Sequence, residues 1–135
     1  MSLDIQQREH EGIVILDLKS RITVGPEASA LREKVASVTA AGSKNIILNL
    51  AHVDYIDSTG LGALVMCATS QRKTGGALKL LNLNRRNIEL LVMTKLTTVF
   101  ETFNDEQDAV NSFFPDRKLN TFDILSFVQQ MKKEE

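Results

Sequence analysis

Tryptophan is missing from this 135-residue chain, tyrosine and cysteine occur once each, and there are two prolines. A lone cysteine excludes an internal disulfide and a cysteine-based metal site. Cys67 sits beside Met66 and Ala68 within a segment of helical spacing, so it reads as a small buried hydrophobe. No apolar run approaches the roughly 20 residues that a membrane-spanning helix needs, and Met1 to Glu11 lacks the apolar centre of a signal peptide. The expectation is a cytoplasmic protein. Charge of one sign is missing too: 16 basic residues face 17 acidic ones, for a net charge of −1. The basic residues are scattered, with no run longer than a pair such as Arg85-Arg86 or Lys132-Lys133, so no nucleic-acid footprint is present.

Catalytic and cofactor signatures are equally sparse. Only His10 and His52 could serve as a base for a nucleophile, and no Gly-x-Ser-x-Gly elbow accompanies them. His52 follows a strand near the one notable serine, and a serine hydrolase built on the two is the weak enzymatic alternative. Asp54 and Asp57 lack the further ligands that a metal site needs. The phosphate-loop pattern Gly-x-x-x-x-Gly-Lys is absent as well. Neither a cofactor nor catalysis is expected.

What is present is a single domain's length with an ordinary apolar fraction. Leu3 to Ile5 is a modest strand, and after the Glu11-Gly12 turn residues 13–18 (IVILDL) read as a buried one, the two forming a hairpin. Pro26 suits the first helical position, and Ala28, Leu31, Val35 and Val38 carry a helix to about Ala41-Gly42. Residues 45–50 (NIILNL) form the next strand, followed by a turn and a helix that ends near Gly75-Gly76. Residues 77–83 read as a strand, and Asn84 caps a short helix through Ile88, Leu91 and Val92. Residues 99–103 make a last short strand, and Asp105 caps a helix carrying Ala109, Val110 and Phe113. Alternating strands and helices predict an α/β fold with a largely parallel sheet and an antiparallel hairpin at its start.

Pro115 breaks that last helix, which divides the chain into a domain over 1–114 and an extension over 115–135. Phe122, Leu125, Val128 and Met131 follow at a spacing of three, with Ile124 and Phe127 widening the stripe, as in an amphipathic helix. Such a helix docks on its own domain or joins two copies, and the spacing serves a homodimer as well as a monomer.

The most informative segment is Tyr55-Ile56-Asp57-Ser58-Thr59-Gly60-Leu61-Gly62, between a strand and the apolar positions Leu61, Leu64, Val65 and Ala68 of a helix. Asp and Ser are good caps and glycine eases turns, so a purely structural role suffices for such a junction. The same place has a chemical use. A phosphoryl group on Ser58 would add about −1.5 to −2 charge at a helix N-terminus that tolerates it. Beside Asp57 and Asp54 it would confront a docked partner with a concentrated negative patch.

This segment resembles the STAS domain, and more narrowly the bacterial anti-sigma factor antagonists. The resemblance rests on Ile46 to Leu50, Val53 to Gly62, the Gly75-Gly76 turn, Leu78 to Leu83, and Thr94-Lys95-Leu96 before Phe100. It extends more weakly to residues 12–16 and covers most of residues 3–114. It implies a STAS-type mixed sheet with about four helices, and a non-enzymatic partner-switching protein. In that scheme the unphosphorylated form binds an anti-sigma factor serine kinase and releases a sigma factor. Phosphorylation of the serine matching Ser58 ends the complex, and a metal-dependent serine phosphatase restores it. Thr59 is the fallback acceptor. Asp57, Thr59, Gly60, Leu61 and Gly62 match the partner surface. The family's Gly-Arg-Leu-Asp-like segment reads Ser20-Arg21-Ile22-Thr23 here, which keeps Arg21 and puts Thr23 where a kinase-contacting acid is usual. A hydroxyl does not replace a carboxylate facing a basic group. Lys95 stands where glycine is commoner. STAS-like domains also serve as scaffolds in signalling particles and transport complexes, and that role remains the alternative.

Overall fold

Side chains alternate across a strand, so a strand covered on both faces reads as an unbroken apolar run. Such runs dominate the middle of this sheet. The computed structural model describes residues 3–117 and Val128. Five strands and four helices follow one another there: β1 (Asp4–His10), β2 (Ile13–Ile22), α1 (Pro26–Ala40), β3 (Asn45–Ile56), α2 (Ser58–Lys73), β4 (Ala77–Leu81), α3 (Arg85–Met93), β5 (Thr102–Phe103) and α4 (Glu106–Asn111). The sheet order is β1-β2-β3-β4-β5, antiparallel between β1 and β2 and parallel elsewhere. The expected fold class is the observed one.

Two cores lie on opposite faces of the sheet. Val14, Leu16 and Leu18 of β2 and Ile46, Leu48 and Leu50 of β3 point into the larger one, with Leu31 and Val35 of α1, Leu64 and Ala68 of α2, and Ile88 and Leu91 of α3. The intervening Ile13, Ile15 and Ile47 point the other way, toward Leu81, Phe103 and the Ala109-Val110 pair of α4. Val128 is helical and packs, partly buried, against the larger core. The rest of the expected C-terminal helix lies outside the described residues.

The strands outrun their sequence-based bounds. β1 continues from Ile5 to His10 although DIQQREH is polar, because it is an edge strand paired on one side only. Arg8 reaches across to Asp17 at 2.6 Å and to Glu106 at 2.6 Å, and His10 Nδ1 lies 2.6 Å from Glu106. β3 continues past Leu50 to Ile56 through two register shifts against β2. Asp17 to Ile22 on β2 therefore faces Asn49 to Ile56 on β3, which carries two more residues over that span. β5 is shorter than expected, since only Thr102 and Phe103 pair with β4.

Candidate functional site

The serine turn begins where β3 ends, so Ser58 is the first residue of α2 and Asp57 its cap. The Asp57 carboxylate accepts from the Gly60 N–H at 2.7 Å and, through its other oxygen, from the Val24 N–H at 2.9 Å. These bonds, led by that from Gly60, hold its carboxyl below the usual carboxylate range. One side chain thus caps α2 and ties it to the loop between β2 and α1. The Asp57 N–H donates in turn to the Ile22 carbonyl at 3.2 Å, which joins the ends of β2 and β3.

The two glycines of the turn look alike in sequence and differ in space. A Cβ on Gly60 would lie 1.9 Å from the Ile22 carbonyl oxygen, so only glycine fits there. Nothing lies within 4 Å of a Cβ on Gly62, which is exposed. Ser58, Gly62 and Met66 recur at a spacing of four and line the outward face of α2. Leu61 points inward and is 7% exposed, so it anchors the helix and offers little surface to a partner. Ser58 and Thr59 are both exposed, and among the described residues neither hydroxyl makes a hydrogen bond. No acidic side chain occupies the first turn of α2.

Arg21 and Thr23 flank this turn from the end of β2. Arg21 is exposed, is paired in register with Tyr55, and has no ion-pair partner among the described residues. Cross-strand partners share a sheet face, so Arg21 belongs to the Tyr55 surface. Arg86 of α3 sits over the Tyr55 ring at 5.4 Å. Thr23 is half-buried, and its carbonyl accepts from the Ala28 N–H at 3.1 Å. No acid takes the place of its missing carboxylate on that strand end, while Glu27 lies in the first turn of α1.

Sequence reasoning missed Val24 and Tyr55, which are 66% and 40% exposed around the serine. They come from separate loops and strands, and periodicity carries no signal for such a patch. Met93, 80% exposed, extends it onto α3. An apolar groove of about 480 Å3 also runs between α1 and α2 past Met66, roughly two helical turns beyond Ser58.

The hydrolase alternative does not survive. His52 lies on β3 four residues before its end, on the order of 13 Å from that end at strand rise. It is no partner of Ser58, and His10 is engaged with Glu106. Among the described residues no three potential ligands converge on a metal position, so Asp54 and Asp57 do not form one. Cys67 is buried, and burial pushes its thiol up to about 11, as befits an inert core residue. Lys95 adopts a left-handed backbone with φ of 60°, and its N–H bonds the Val92 carbonyl at 3.1 Å. That is the conformation in which glycine usually ends a helix.

Residues 4–109 match the family model of the STAS domain. The chain is 33% identical over 101 residues to the anti-sigma-B factor antagonist of Bacillus subtilis, covering 75% of this chain and 91% of that protein. It is 27% identical over 121 residues to the anti-sigma-F factor antagonist RsfB of Mycobacterium tuberculosis, covering 86% and 96%. Among solved structures, the protein TM1081 from Thermotoga maritima superposes with a TM-score of 0.75 at 23% identity, covering 81% of this chain and 93% of that one. The Bacillus cell fate determinant SpoIIAA in its phosphorylated form superposes at 0.62 and 17% identity, covering 81% and 98%, and shares the fold. With the serine turn, the mixed five-stranded sheet and a family match spanning both, the chain belongs to the STAS domain family.

Proposed function

We propose that this chain is an anti-sigma factor antagonist whose partner binding is switched by phosphorylation of Ser58. The family is regulatory rather than catalytic, so the chain is a substrate of a kinase and not an enzyme. The observation that carries the reading is the open first turn of α2. Ser58 is exposed and without a hydrogen bond, and it is surrounded by Val24, Tyr55 and the bare backbone at Gly62. Exposed apolar side chains clustered beside an accessible hydroxyl can supply the apolar core of a protein-docking surface, whose rim is polar.

The geometry also supplies a mechanism. Asp57 already uses the Gly60 N–H, a donor that would otherwise receive an anion at the helix start. A phosphoryl group on Ser58 would therefore stand outward beside an ionised carboxylate. The domain itself would change little, whereas a docked partner would meet two adjacent anions and lose the close approach that Gly62 allows. The anti-sigma factor serine kinase is the partner in this reading, a serine phosphatase resets the switch, and Thr59 is the alternative acceptor. The Arg21-Thr23 strand end, lacking the acid, would give this chain its own choice of kinase.

Intact-mass measurement after incubation with ATP and an anti-sigma factor serine kinase tests the reading. One phosphate is expected on the chain and none on Ser58→Ala. Ser58→Asp is expected to lose kinase binding. Undiminished binding by Ser58→Asp would leave the chain as a STAS scaffold that does not use its serine.

A further inference from the structure

Asp57 uses both of its carboxylate oxygens inside the molecule. Oδ1 accepts from the Gly60 N–H at 2.7 Å, the ordinary bond of a helix cap. Oδ2 accepts from the Val24 N–H at 2.9 Å, across 33 residues of chain, and a cap does not require that bond. It fixes the middle of the loop over residues 23–25, between β2 and α1. The ends of that loop have ties of their own: the Thr23 carbonyl accepts from the Ala28 N–H at 3.1 Å, and the Gly25 carbonyl from the Ser29 N–H at 3.2 Å. Val24 has only Asp57 among the described residues.

What the bond holds in place is an anomaly of burial. Val24 is 66% exposed, and it is the one exposed valine, leucine or isoleucine among the described residues. A single exposed hydrophobe is ordinary on a protein surface. This one is pinned by the residue that precedes Ser58, so one carboxylate sets its position and that of the serine together. Backbone hydrogen bonds hold that carboxyl below the usual range, so both oxygens remain acceptors near neutral pH. A loop ordered in advance loses little freedom on docking, and a β-branched side chain has few rotamers to lose.

We propose that Asp57 is a positioning residue for docking: its bond to the Val24 N–H holds the Val24 side chain beside Ser58, where an apolar recess of the serine kinase receives it. The inference rests on the reading of Ser58 as the switch and adds what places the kinase over that serine. Asp57 acts here through Val24 rather than by meeting the partner. Its charge serves the phosphorylated state, as the anion beside the phosphoryl group, and its two hydrogen bonds serve the unphosphorylated one. That second role asks for a carboxylate in particular. An amide has one oxygen, and it turns a donor toward the remaining N–H.

Asp57→Asn separates the two bonds, because asparagine caps a helix as well as aspartate does and has no second oxygen for Val24. In the chain alone, amide exchange followed by NMR is expected to quicken several-fold at Val24 in Asp57→Asn and to stay unchanged at Gly60. Exchange at Val24 no faster than in the native chain overturns the tether. The second arm compares Asp57→Asn, Val24→Ala and the double variant as substrates of an anti-sigma factor serine kinase that phosphorylates the native chain. Val24→Ala, at an exposed position where folding is spared, is expected to raise KM about fivefold with kcat kept. Asp57→Asn is expected to raise KM in the native background and to add nothing in the Val24→Ala background. An unchanged KM in Val24→Ala overturns the recess, and fully additive effects overturn positioning by Asp57. Both of those results leave the switch standing. Phosphate that persists in Ser58→Ala overturns the switch and the docking role with it, and the exchange measurement then decides the tether alone.

Discussion

Helices α2 and α4 begin with the same chemistry and end with opposite roles. Asp57 caps α2 through the Gly60 N–H at 2.7 Å, and Asp105 caps α4 through the Asp108 N–H at 3.0 Å. In α4 the first turn is then filled by Glu106 and Asp108, and Glu106 is clamped by Arg8 and His10. In α2 the first turn holds two unengaged hydroxyls and no acid. The positive end of α4 is spent inside its own domain, whereas that of α2 is left toward solvent. A cap therefore marks a helix start, and an emptied first turn marks a site.

The largest test of this contrast is Gly60→Ala. Its Cβ would meet the Ile22 carbonyl, so the β2–α2 junction must move, and a loss of about 3 kcal/mol or more in urea unfolding is expected. Asp108→Ala, at the corresponding position of α4, is expected to cost less than about 1 kcal/mol. Equal losses would mean that the close approach at Gly60 is not the constraint.

Next come the caps and their pH dependence. Asp57→Ala is expected to cost about 1–2 kcal/mol, since two backbone donors lose their acceptor. The Glu106 carboxyl is lowered to about 2, chiefly by its hydrogen bond to Arg8; burial opposes this, and the hydrogen bond to His10 adds a smaller lowering. A folded-state value below the unfolded one means stability that is complete above about pH 4.5 and is lost as pH falls toward 2. Arg8 and Glu106 are partly exposed, so solvent screening keeps this pair near about 1 kcal/mol. Stability measured from pH 5 to pH 2 should fall for the native chain and fall less steeply for Glu106→Gln.

The smallest effects are expected on the open face. Gly62→Ala should stabilise by about 0.5–1 kcal/mol, because an alanine meets nothing there and favours the helix. The added methyl should at the same time weaken the proposed binding to a kinase. Ser58→Ala should move thermal unfolding hardly at all, by under about 0.5 kcal/mol, while removing the proposed phosphate acceptor. A large stability loss in Ser58→Ala would show that the serine is a structural cap after all.

Legibility followed what each signal depends on. The inner strands and the helix faces were readable because burial on both sides of a sheet and one side of a helix leaves a period in the sequence. Polar β1 was cut short, since an edge strand held by Arg8 and His10 carries no such period. The second half of β3 carries no strand signal, because register shifts break the alternation through His52 and Asp54. At the site, Asp57 and Ser58 were readable as cap and first helical residue. The unlike fates of Gly60 and Gly62 were not, for what separates them is the Ile22 carbonyl, distant in the chain.

The two extra residues of β3 make the serine sensitive to chain length as well as to chemistry. Because they come as a pair, Ile56 returns to the same sheet face as its partner Ile22, and α2 starts over the larger core. Removing one of them would invert that end of the strand, pointing Ile56 at solvent and turning Asp57 away from Val24 and Gly60. Substitutions at the exposed Ala51, His52 and Asp54 should therefore be absorbed far more readily than single-residue deletions. In a lineage of such domains, those exposed positions can drift in composition while the length of the stretch stays counted.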